Sequence, residues 1–228
     1  MASYGQFCPV AKAMELLDQR WTMLVVRELG AGSTQFNDLR RGVPRMSPTL
    51  LSKRLRTLVR AGVVDRTETD GDVRYRLTAA GEELRPVVEA LGVWGSRWIP
   101  ELGEEDLDPH LLMWDVRRNV VRERVPDGRT VVTFRFPDRP VGVRDWWLVI
   151  DDEVDVCDFD PGYEVQVRAE IDLGLLVEVW RGDLDWPDVL RDGTLRLDGP
   201  EPLRRAFPSW FARSPFAAVP RVEQPVPR

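Results

Sequence analysis

The chain has 228 residues, 43% of them hydrophobic, which is enough for one large domain or two small ones. With no run of 18 apolar residues, no basic-then-apolar leader in "MASYGQFCPVAKAMELL" and only two cysteines, Cys8 and Cys157, a membrane span, a secretory signal and a disulfide scaffold are not expected, and the cytoplasm is the expected location. The net charge of −6 is uneven: residues 1–100 hold 15 Lys and Arg against 11 Asp and Glu, whereas residues 101–228 hold 17 against 27, which points to a first half that meets polyanions and a second that does not.

In chain order, Pro9 to Leu17 reads as a short helix with Val10, Ala13, Met14 and Leu17 on one face. "RWTMLVVREL" is nearly all apolar and is expected to be a buried helix. "STQFNDLRRG" is expected to start at a Ser/Thr cap and end at Gly42. Ser47 then presents an N-cap with Pro48 at the first helical position, where its missing N–H costs nothing, and the helix runs to Ala61 before Gly62. Leu51, Leu55 and Leu58 share one face of that helix, and Thr49, Lys53, Arg56 and Arg60 share another. Between Phe36 and Arg60 seven bases stand against the single acid Asp38, so the local field is positive although the chain is acidic.

"VVDRTETDGDVRYRLT" reads as two strands turned at Asp70-Gly71. Helix, helix-turn-helix and hairpin in that order predict a winged helix whose recognition helix fits the major groove of double-stranded DNA. Thr78 to Trp98 is expected to form one long amphipathic helix with Leu84, Val87, Val88, Leu91, Trp94 and Trp98 on its apolar stripe. That is more than a small domain can bury, which points to a homodimer. A break is expected at "IPELGEEDLDPH", residues 99–110, giving a DNA-binding and dimerisation domain over 1–100 and a second domain over 101–228.

"CPVAKAMELLDQRWTMLVVREL", "FNDLRRGVPRMSPTLLSKRLRTLVRAGVV" and "YRLTAAGEEL" resemble the HxlR family of winged-helix transcription regulators, across roughly residues 7–99. The resemblance implies dimers on inverted-repeat operators, with the N-terminal and last helices forming the interface. Carried over by position, Ser47, Thr49, Lys53 and Arg56 would meet DNA, with Arg45 and Arg40 close to the backbone. The wing tip departs from a DNA-friendly pattern through Glu68, Asp70 and Asp72, which Arg66, Arg74 and Arg76 on the wing strands would offset. Some relatives sense oxidants through a cysteine at the position of Cys8, and Cys8 does precede a helix, where a thiolate is favoured. Its alternative role is a small apolar residue near the dimer interface, and no resolving cysteine lies in this domain.

In the second half, "TVVTFRF" puts Val132, Phe134 and Phe136 on one face. "RDWWLVI" puts Trp146, Leu148 and Ile150 opposite Trp147 and Val149, and "EVQVRAEI" alternates in the same way. These predict half-buried antiparallel strands. "DLGLLVEVWRGD", "WPDVLRDG" and "GPEPLRRAFPSWF" predict helices, with a short strand "TLRLDG" between the last two, so the domain is expected to be α+β, a sheet covered by helices. The proline-rich tail from Ser214 is expected to be poorly ordered at its end. Six of the nine tryptophans lie in this half, which fits either an apolar cavity or a well-filled core.

The stretch from Val156 to Trp210 resembles the sterol carrier protein type 2-like fold, over roughly residues 107–216: a strand ending in Asp, Leu-x-x-Leu-x-x-Val-Trp-x-Gly, a short helix, then Gly-x-Leu-x-Leu-x-Gly. The resemblance implies an apolar tunnel for a fatty acyl or sterol-like small molecule, for which Trp114, Phe134, Trp147, Phe159, Leu176, Trp180, Phe207, Trp210 and Phe211 are the candidate lining residues. An enzyme is not expected. His110 is the single histidine, no catalytic set, metal cluster or cofactor motif stands out, and the Asp151-Asp152 and Asp158-x-Asp160 pairs read as turns. Four readings remain: a ligand-controlled DNA-binding regulator, a DNA-binding regulator whose second domain is empty and only supports the dimer, a regulator sensing thiol oxidation through Cys8, and a lipid-binding carrier whose helix-turn-helix serves protein association.

Overall fold

Pro9 opens α1 (Pro9–Leu17), and α2 (Thr22–Gly30), α3 (Phe36–Gly42) and α4 (Pro48–Arg60) follow in the computed structural model, which describes residues 3–99 and 101–222. The wing is β1 (Val64–Thr69) paired antiparallel with β2 (Asp72–Leu77), and Asp70 at φ 51° and Gly71 at φ 83° form the expected turn. Val25, Val26, Leu39, Leu51, Leu55, Leu58 and Val64 make the core of this unit, so the leucine stripe of α4 is buried as its spacing requires. The α3 cap differs from expectation. Gln35 occupies the N-cap without a side-chain bond, and the Thr34 hydroxyl instead accepts from Arg74 Nη1 at 3.1 Å.

Two short links hold the helix-turn-helix. Arg54, on the recognition helix, turns inward and donates to the Arg20 carbonyl at 3.0 Å and to Gln19 Oε1 at 2.5 Å. Those bonds clamp the turn in which Trp21 takes a left-handed φ of 78°, a conformation a bulky residue holds only when its surroundings fix it. Glu28 is buried, paired with Arg27 at 2.8 Å, and Arg27 also donates to the Gly42 carbonyl at 2.8 Å, tying α2 to the end of α3.

The predicted single helix from Thr78 to Trp98 is two helices, α5 (Ala79–Glu82) and α6 (Arg85–Trp98). Pro86 has no N–H to continue the ladder and its ring disfavours the helix before it, so the chain breaks at Glu83-Leu84. Leu84 and Val88 pack on the core. Val87, Leu91, Trp94 and Trp98 remain exposed, as do Val10 and Met14 on α1.

The chain divides into two units, Met1–Trp94 and Gly95–Arg228. In the second, α7 (Pro109–Arg118) starts at the end of the break expected over residues 99–110 and runs on through a stretch for which no element was expected, capped by Asp108 accepting from the His110 N–H. The sheet comprises β3 (Thr130–Arg135), β4 (Asp145–Ile150), β5 (Val154–Cys157), β6 (Val167–Glu170) and, between helices, β7 (Arg196–Asp198), in the order β5-β4-β3-β6-β7. The all-antiparallel expectation is corrected: β6 lies parallel to β3, and residues 158–166 carry the chain from edge strand β5 to the far side of β3. The helices are α8 (Leu173–Arg181), α9 (Trp186–Arg191) and α10 (Glu201–Ala206), the last continued by a 3₁₀ turn over Phe207–Trp210 where Pro208 interrupts the α-helical ladder. Val132, Phe134, Trp146, Leu148, Ile150, Val156, Val167 and Ala169 face these helices, while Thr133, Arg135, Trp147, Arg168 and Glu170 project from the opposite face. The end of the tail, expected to be poorly ordered, lies outside the described residues.

Candidate nucleic-acid interface

The interface is assembled on α4. Ser47 Oγ accepts from the Leu50 N–H at 3.3 Å, so the cap predicted from sequence is formed and the helix N-terminus is fixed. Thr49, Lys53, Arg56 and Arg60 recur on the side of α4 opposite the buried leucines, and all four are exposed. Arg40 in α3 and Arg45 in the turn before α4 are exposed too. Among the described residues, no acid pairs with Arg40, Lys53, Arg56 or Arg60, so their charge is directed at solvent. Arg60, on the stripe but outside the residues singled out as DNA contacts, belongs with them by geometry.

The wing is different. Arg66 pairs with Glu68 at 2.7 Å, and Arg74 pairs with Asp72 at 2.6 Å while also reaching Thr34. The hydrogen bond from Arg66 to Glu68, and then that with Tyr75, raises the Arg66 pKa, and Arg74 together with Gln35 lowers the Asp72 carboxyl. Residues two apart on a strand share a face, so both pairs were implicit in the spacing Arg66-x-Glu68 and Asp72-x-Arg74. Arg66 and Arg74 are thus neutralised locally, whereas Arg76 is exposed and pairs with no acid among the described residues, so the positive surface is that of α4 and its flanks together with Arg76.

Among the described residues, the nine expected to line an apolar tunnel do not line one common hollow. Trp114, Phe134, Leu176, Phe207, Trp210 and Phe211 are buried in the core and Trp180 is partly buried, whereas Trp147 lies on the opposite face of the sheet and Phe159 is 64% exposed. Phe207 meets Phe211 edge-on at 5.0 Å and Trp186 edge-on at 5.8 Å, and lies tilted against Phe134 at 5.9 Å. The hollow they leave, bounded by Phe134, Leu176, Trp180, Trp186 and Phe211, measures about 10 Å³, no more than a single water needs. The aromatic surplus fills a core.

Cys8 sits at the N-cap position of α1, half-buried, and makes no side-chain cap bond. His110 contacts Asp108 at 3.3 Å and packs edge-on against Trp146 at 4.9 Å, and its bond to Asp108 raises its pKa. Among the described residues no cluster of His, Cys, Asp or Glu could hold a metal, and no helix is long and apolar enough to cross a membrane.

Residues 16–102 match the HxlR-like helix-turn-helix family. A helix-turn-helix transcriptional regulator of Synechocystis is 37% identical over 100 residues, covering 42% of this chain and 74% of that one. The Bacillus subtilis regulator YvaP is 36% identical over 99 residues, covering 42% of this chain and 92% of its own length. A transcriptional regulator of Mycobacterium tuberculosis is 43% identical over 96 residues, covering 40% of this chain, and this chain spans only 59% of that relative's length. The matched family segment contains the buried leucine stripe, the capped recognition helix and the paired wing. The chain belongs to the HxlR-like helix-turn-helix family, whose relatives here are transcriptional regulators.

Proposed function

We propose that the protein is a homodimeric transcription regulator that grips an inverted-repeat operator, with residues 1–100 as the DNA-binding and dimerisation domain and 101–228 as a regulatory domain. The observation that carries the reading is a helix with one buried leucine face and one exposed basic face whose cations have no acid partner among the described residues. Such a helix fits the major groove, with Ser47 and Thr49 near base edges and Arg40, Arg45, Lys53, Arg56 and Arg60 on phosphates. Arg66 and Arg74 of the wing contribute weakly, because Glu68 and Asp72 already occupy them. The dimer reading is supported by the exposed apolar faces of α1 and α6, where Val10, Val87, Leu91 and Trp94 are 69%, 44%, 53% and 56% exposed on the single chain. The core packed by the described residues of the second unit gives no support to an apolar tunnel.

Phosphate binding releases counterions, so affinity for a mixed-sequence duplex is expected to fall steeply with salt. If Arg40, Lys53, Arg56 and Arg60 of both protomers each meet a phosphate, the slope of log affinity against log salt is on the order of −7. A flat response would remove the groove-binding reading.

A further inference from the structure

The second unit does carry a sizeable hollow, on the sheet face away from the helices. It measures about 390 Å³, in the range of small-molecule sites, and is lined by Thr133, Arg135, Asp145, Trp147, Arg168 and Glu170, with Asp160 and Val165 of the crossover as its wall. The register explains its shape. Thr133 is cross-strand neighbour to Trp147 on one side and to Arg168 on the other, so a short side chain forms the floor between an indole and a guanidinium.

The charges lining the groove differ in how firmly they are held. Arg135 is fixed to Asp145 at 2.7 Å; burial pushes the Asp145 carboxyl up, but the hydrogen bonds from Arg135 and Arg144 outweigh it and hold that carboxyl below its usual range. Glu170 faces Arg196 at 3.5 Å. Among the described residues Arg168 has only Asp198, at 3.8 Å, and that aspartate is 82% exposed, so Arg168 can exchange partners without stranding a buried charge. Among the described residues neither the Thr133 hydroxyl nor Trp147 Nε1 has a hydrogen-bond partner. On the wall, Asp160 is held by its own loop, its carboxylate accepting from the Gly162 N–H at 2.8 Å and, among the described residues, pairing with no cation. The groups left to a ligand are therefore an aromatic face, a hydroxyl and one loosely held guanidinium, with the Asp160 carboxylate at the wall.

We propose that this groove binds a small aromatic carboxylate, with its ring on Trp147, its carboxylate on Arg168 and the Thr133 hydroxyl donating to it. The role of such a ligand as an effector rests on the regulator reading above, whereas its binding does not. A guanidinium and a hydroxyl donor match a planar carboxylate, and the indole offers the stacking surface.

The test is calorimetry and ligand-observed NMR on the full chain, with benzoate and indole-3-acetate as probes and benzylamine and acetate as controls. Benzoate is expected to bind with Kd on the order of 1 mM and indole-3-acetate more tightly. Trp147→Ala and Arg168→Ala should each weaken binding about tenfold, the loss of one stacking or charge-assisted contact. Trp147→Phe, which keeps an aromatic face, should retain most of it and serves if the alanine variant does not fold. Benzylamine and acetate should not bind. The proposal is overturned by no binding of either acid at about 10 mM, by benzylamine binding as well as benzoate, or by affinities untouched in both variants. It is also overturned if Trp147→Ala converts a self-associated chain to a smaller species, which would assign the face to a second copy. Duplex binding of Arg168→Ala in the absence of ligand is expected to be unchanged, so a chain that binds the acids but not DNA fails the regulator reading alone.

Discussion

Replacing Lys53 and Arg56 together by alanine is expected to lower duplex affinity by roughly 100- to 1,000-fold near 150 mM salt, because a symmetric pair loses four phosphate partners at once. The salt slope should flatten by about 3.6, at 0.9 per phosphate. Both side chains are exposed and lack acid partners among the described residues, so folding stability should change by no more than about 0.5 kcal/mol. Fluorescence anisotropy with a labelled duplex, beside a thermal melt, checks both parts. Unchanged affinity with an unchanged melt would take α4 out of the groove. The matching substitution of Arg54 is not equivalent, since that side chain clamps Gln19 and Arg20 and its loss would disturb the turn before α2.

The second large effect is structural. Gly81, the glycine of "YRLTAAGEEL", is buried on α5, where an added Cβ would overlap the Val63 carbonyl oxygen and crowd Leu77. The Val63 carbonyl cannot retreat freely, because it accepts the Thr78 N–H at 3.1 Å. Gly81→Ala is expected to cost about 3 kcal/mol by overpacking against backbone, and to lower the midpoint of the first unit's thermal transition by roughly 10–20 °C. An unchanged midpoint would mean that α5 does not pack against the start of the wing as described. Gly42 obeys the same logic: its missing Cβ leaves the space that the buried Glu28 carboxylate fills.

The elements that sequence rendered well are those with a local signature. Ser47-Pro48 marked the start of α4, Asp70-Gly71 marked the wing turn, and the Leu51, Leu55, Leu58 spacing marked the buried face. The same grammar was present at Asp108-Pro109, where an N-cap and a helical proline open α7, but the surrounding acids made the stretch look like a linker. In β5, Val154–Cys157 is four residues between acidic turns, too short for alternation to stand out. The parallel pairing of β6 with β3 was not legible, because alternation fixes which face a residue takes and not which strand lies beside it. Nor could residue type separate a tunnel from a packed core. The ring contacts around Phe207 decide that, and they depend on side chains from β3, α9 and the 3₁₀ turn meeting in space. The wing pairs were legible by spacing, yet the charges read more naturally as a count of bases against acids.

In the proposed dimer two copies of α4 present their basic faces together to one duplex. Selection from a random-sequence duplex library with the full chain tests it most directly. A two-fold symmetric site is expected to be enriched, with half-sites centred about 10 base pairs apart, or a multiple of that, as the major groove repeats on one side of the duplex. Enrichment of a single unrepeated half-site, or of no sequence at all, would contradict it.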